Sequence, residues 1–146
     1  MGHVRDVLVA WQVLAAAAPT SLAEGQLLAN QVRRRAQRHR CRVAPGLLDE
    51  LLQDPRVTVG GADAALSNSA VAMPVEHVMY LKAAELDAVI DDVFIVTDPN
   101  DPNVIIYAVT GTTWRGGPTG ATATAVVDLI DQGDLRSANE VIQEFR

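Results

Sequence analysis

Apolar residues at Val4, Val7, Leu8, Trp11, Leu14 and Ala15 recur three and four apart, which predicts a helix over 3–18 with one apolar face. Pro19 stops it. A second stretch of helical period opens on SLAE, residues 21–24, a capping-box pattern in which the Ser21 hydroxyl accepts from the Glu24 amide while Glu24 reaches back. This pattern predicts a helix from residue 21 to about 42. At about 100° per residue, Leu22, Leu28, Ala29, Val32 and Ala36 share one side of it. Arg34, Arg35, Arg38 and Arg42 lie opposite, with Arg33 and Arg40 at the border. Ala44-Pro45-Gly46 ends that run, and Pro45 suits the first turn of a short third helix over LLDELL, closed by Asp54-Pro55.

The periodicity then changes. RVTV (56–59) is short and β-branched, VEHVMYL (75–81) alternates as a strand does, and VFIV (93–96) and NVIIYAV (103–109) are apolar β-branched runs. The turn residues TDPNDP between the last two predict a hairpin with a long loop. AAELDAVIDD (83–92) reads as a short helix, and 60–70 and 110–122 as small-residue and Gly-rich loops. Residues 122–132 and 135–145 read as two final helices split by Gly133, with Asp134 capping the last. The expected class is α+β: about three N-terminal helices packed on a small mixed or antiparallel sheet, then two C-terminal helices. The organisation expected is a helical segment over 1–44 carrying the arginine-rich amphipathic helix, followed by an α+β domain over 45–146, with one domain over 1–146 as the alternative.

Composition narrows the core to Ala, Val, Leu and Ile, because 49% of residues are apolar and only 4% aromatic. The single cysteine, Cys41, excludes an internal disulfide and fits a reducing, cytoplasmic setting. The apolar run Val7–Ala18 is too short to span a bilayer, so a core helix is expected there in preference to a signal peptide, with no membrane partner. Charge is placed unevenly. Residues 33–42 hold six arginines and no acid, while the other 136 residues hold six bases against 18 acids, a sum of −12. An acidic body thus carries a basic stripe, which repels a phosphate backbone at one place and attracts it at another.

Three neighbours suit an all-arginine face formed by Arg34, Arg35, Arg38 and Arg42 with Arg33 and Arg40: solvent, nucleic-acid phosphate, or an acidic protein, another copy included. Chemistry is sparse elsewhere. Glu85, Asp87, Asp91 and Asp92 crowd one segment but bring no His or Cys partners, so no metal site and no cofactor is expected. Ser67, Ser69 and His77 lack a nucleophile elbow, and Gly116-Gly117-Pro118-Thr119-Gly120 lacks the ending of a phosphate-binding loop. No catalytic residue is assigned. Arg40 and Arg42 flank Cys41 and would lower the pKa of an open thiol, but Cys41 is expected to half-bury at the helix edge instead; Trp114 with Arg115 is a candidate loop contact for a partner.

Four stretches, VAPGLLDELLQDPRVTVGGADAALSNSA, VMYLKAAELDAVI, PNVIIYAV and AVVDLIDQGDLRSANEVI, resemble the C-terminal part of actinobacterial proteins related to the AbiEi-type antitoxins, which are type IV toxin–antitoxin regulators. The resemblance runs from residue 43 onward and rests on structural motifs. The family's segment carries His-Gly after its Ala-Ala pair, where this chain has Asn68-Ser69. A winged-helix DNA-binding domain precedes that region in the family, whereas here the preceding residues read as plain helix. The resemblance implies a non-enzymatic regulator that binds a nucleotidyltransferase-like toxin. DNA contact through the arginines is an added expectation. A self-associating scaffold module and a small ligand-binding domain or enzyme are the alternatives.

Overall fold

The computed structural model describes residues 2–61, 76–110 and 121–143. Its order is α1 (Gly2–Ala16), α2 (Leu22–Gln31), β1 (Gln37–Arg42), α3 (Pro45–Leu52), β2 (Thr58–Val59), β3 (His77–Lys82), α4 (Leu86–Asp92), β4 (Val96–Thr97), β5 (Val104–Val109), α5 (Ala121–Asp131) and α6 (Leu135–Ile142). The class is α+β, with helices at the N-terminus and two at the C-terminus around a five-stranded mixed sheet. Strand order is β2-β3-β5-β1-β4, and only β3 and β5 run parallel.

The sheet is covered on both faces. Val78 and Tyr80 of β3 and Ile105, Tyr107 and Val109 of β5 pack under α1, α2 and α5, which supply Val7, Trp11, Leu14, Leu28 and Val127, joined by Val32 at the end of α2. The alternate residues of the same strands, Met79, Leu81, Val104, Ile106 and Ala108, pack with Cys41 under Leu51 of α3 and Val89 of α4. All six residues of β5 are buried, as expected of a strand covered on both faces. α5 then joins α6 through Val126, Leu129, Val141 and Ile142.

Local signals account for most ends. The Ser21 hydroxyl accepts from the Glu24 amide at 3.2 Å, while the Glu24 carboxylate accepts from the Thr20 amide and hydroxyl at 2.7 and 2.6 Å. Pro45 opens α3, and Asp134 accepts from the Ser137 amide at 3.1 Å. Gly133 closes α5 at φ +80°, a left-handed cap that favours glycine.

Two expectations fail. Residues 93–96 and 103–109 do not form a hairpin: β4 covers only Val96–Thr97 and pairs with β1, because both edges of β5 are taken by β3 and β1. Nor does a helix run to residue 42. It ends at Gln31, a single 3-10 turn follows at Arg33–Arg35, and Gln37–Arg42 is strand β1, held between β5 and β4. The arginine-rich amphipathic helix is therefore replaced by a turn and a strand, and the segment before residue 44 shares one sheet with the residues after it. The loops expected at 62–70 and 111–120 lie outside the described residues, as do Ser67, Ser69, Trp114 and Arg115.

Candidate functional site

Alternation along β1 sorts its side chains. Gln37, His39 and Cys41 face the α3–α4 side; Cys41 is fully buried there and pairs across the sheet with Val104. Burial, with a smaller contribution from Asp98, pushes its thiol pKa up to about 11, so the flanking Arg40 and Arg42 do not lower it. The guanidiniums of those two residues point to the other face. His39 is half-buried in the strand.

Arg38, Arg40 and Arg42 occupy that other face. Their register opposite Tyr107 and Ile105 puts Arg38 and Arg40 on the side of the sheet that α1, α2 and α5 cover over β3 and β5. The helices stop short of β1, so the row is open: Arg38 is exposed and the Arg40 side chain is 55% exposed. Alternate residues of a strand stand about 7 Å apart, so the three arginines follow one another along one face of β1. Arg40 holds Glu76 at 2.9 Å and Arg42 holds Asp101 at 3.3 Å, whereas Arg38 makes no salt bridge among the described residues. Arg33 and Arg34 lie on the turn before the strand. Arg33 donates to Asn30 at 2.8 Å, and Arg34 pairs with Asp6 at 3.0 Å.

Arg35 is buried, only 1% exposed, and does not belong to the outer face where the helical wheel put it. The turn at 33–35 swings it beneath the helices. Its Nε donates to the Tyr80 hydroxyl at 2.9 Å, and its Nη2 donates to Asp128 at 2.8 Å and Asp131 at 2.7 Å. The guanidinium also lies 4.7 Å from the centre of the Tyr107 ring, a cation–π contact. Tyr80 and Tyr107 are opposite each other on β3 and β5 and stack at 4.9 Å, with Trp11 edge-on to Tyr80 at 5.6 Å. The Trp11 indole donates to the Arg35 carbonyl at 3.0 Å, which fixes the turn from above. Asp128 accepts further from the Tyr80 hydroxyl and, at 3.0 Å, from the Gly61 amide.

This cluster explains why the helix breaks. A buried carboxylate and guanidinium are tolerable only when paired and fully hydrogen-bonded, and a continuous helix would leave Arg35 in solvent and the buried Asp128 without its counter-charge. Burial pushes the Tyr80 phenol well above the usual tyrosine range and the Tyr107 phenol up to about 12, so both remain neutral donors at physiological pH. Burial alone would lower the Arg35 pKa, but Tyr80, Asp128, Tyr107 and Asp131 together more than offset it and hold the guanidinium charged.

Comparison with protein-family models, with curated proteins and with solved structures gives no match. Of the six arginines, five are brought to the surface in two groups, the β1 row and the turn, and one is drawn inside. Sequence reasoning missed the partners that draw it inside. Their signal is Asp128, a carboxylate in the mostly apolar run ATATAVVDLID, with Asp131 one turn on. Glu85 is half-buried and Asp87, Asp91 and Asp92 are exposed on the α3–α4 side; among the described residues no group of three His, Cys, Asp or Glu is placed to hold a metal ion. No described helix is long and apolar enough to cross a membrane.

Proposed function

We propose that the protein is a non-enzymatic regulator of the antitoxin-related kind that acts by binding an acidic protein partner, and that Arg38, Arg40 and Arg42 on β1 are its contact surface. The observation that carries this reading is the open arginine row on a sheet face whose other half is roofed by helices. Two of its members already hold carboxylates, Glu76 and Asp101, which a partner's carboxylates can replace without changing the chemistry. The resemblance from residue 43 onward makes a nucleotidyltransferase-like toxin the natural candidate.

Duplex DNA suits the surface less well. β4 lies beside β1, and residues 85–101 around it contain six carboxylates and no base, so a phosphate backbone laid along the row meets repulsion at its edge. The row also carries no exposed aromatic ring for single-stranded bases to stack on. The test pairs calorimetric titration of a co-expressed toxin candidate with DNA anisotropy. Arg38→Glu with Arg40→Glu should abolish toxin binding and leave the fold intact. Tight, sequence-independent DNA binding that persists at about 0.15 M salt, where surface charges are screened beyond roughly 8 Å, would overturn the preference for protein.

A further inference from the structure

Two exposed apolar features stand at opposite ends of β1 and carry opposite charge. At its end, Phe94 is 78% exposed and Val96 56% exposed on the β4 edge. Phe94 sits at φ +55°, a left-handed backbone that bulky residues avoid. Of the six acids in the surrounding stretch 85–101, Asp92 and Asp101 are held by Arg56 and Arg42, and the exposed Asp87, Asp91 and Asp98 give the knob its negative charge. At its start, about 17 Å away along the strand, a groove of ≈ 520 Å³ is lined by Val7, Ala36, Gln37 and Thr110 with Arg33 and Arg34. An acidic, aromatic knob and a basic, partly apolar socket thus occur on one chain, too far apart to meet within it.

We propose that the β4 knob of one copy docks into the Arg33–Arg34 socket of a second copy, giving head-to-tail self-association. The occupant follows from charge complementarity, both halves of which are on this chain. Because the two surfaces differ, the contact is heterologous. It leaves a free knob and a free socket on every dimer, and chains grow or close into rings. The proposal leaves Arg38 and Arg40 free, with Arg42 bordering the knob opposite Val96, and does not depend on the function proposed for them.

Sedimentation of the purified chain at rising concentration, at low and high salt, reads the self-association. The wild type should form species beyond the dimer at low salt and dissociate as salt screens the charges. Phe94→Gly removes the ring at a backbone angle that glycine accepts, so folding is preserved. Arg33→Glu with Arg34→Glu reverses the socket at two exposed positions. Each variant alone should be monomeric, and their equimolar mixture should give one 1:1 heterodimer that grows no further, since each still owns one working surface. Melting curves matching the wild type confirm that both fold. A wild type monomeric at several hundred micromolar, a Phe94→Gly variant that still assembles, or a mixture that stays monomeric overturns the proposal.

Discussion

A guanidinium without exposed surface must have its donors answered by protein groups, and at Arg35 they are answered by three side chains on two elements, β3 and α5. The same closeness fixes its neighbours. A Cβ on Gly60 would stand 2.6 Å from an Asp128 carboxylate oxygen and 2.9 Å from the Tyr80 ring. Gly60→Ala should therefore lose about 1–3 kcal/mol by overpacking a site that has no slack; urea denaturation measures it. Cys41 gives a second residue-scale expectation. Its buried thiol should resist a disulfide exchange reagent at pH 8 and react at once in denaturant. The sign of its pH dependence follows. The folded thiol titrates at about 11, above the unfolded value of 9.0, so between these the unfolded chain ionises first and stability falls as pH rises. Unfolding that grows more favourable at low pH through this thiol, or equal reactivity in both states, would contradict that burial.

At the scale of elements, the legible parts are those decided locally. Ser21, Pro45, Gly133 and Asp134 mark helix ends that the structure keeps, and the apolar β-branched run at 103–109 becomes β5. The illegible parts are decided by distant partners. Residues 32–42 have a consistent helical pattern, with Val32 and Ala36 on the apolar side, yet β5 and β4 recruit 37–42 as a strand. The hairpin expectation failed for the same reason, because β1, from early in the chain, occupies the edge of β5 that β4 would need. Asn103 seals the arrangement by accepting from the Val43 amide at 2.9 Å and donating to the Val43 carbonyl at 2.8 Å. A peptide spanning residues 19–44 should accordingly show helical or unstructured chemical shifts at 37–42 and no strand, while the intact chain shows strand shifts there. Strand shifts in the isolated peptide would mean that local sequence, not the sheet, sets β1.

For the molecule as a whole, the six arginines divide their labour. Arg35 joins α5 to the sheet through a buried charge cluster; Arg38, Arg40 and Arg42 line an open face; Arg33 and Arg34 border a groove at the turn. That division was hidden in the sequence because one residue type serves all three places, and only Asp128 in its apolar helix hints at which arginine is taken inside. Unfolding free energies of Arg35→Met and Arg38→Met, measured side by side in urea, test it most directly. Removing Arg35 strands the buried Asp128 and should cost about 3–5 kcal/mol, whereas removing exposed Arg38 should change stability by no more than about 0.5 kcal/mol. Equal, small losses for the two variants would contradict the buried anchor and return all six arginines to one surface.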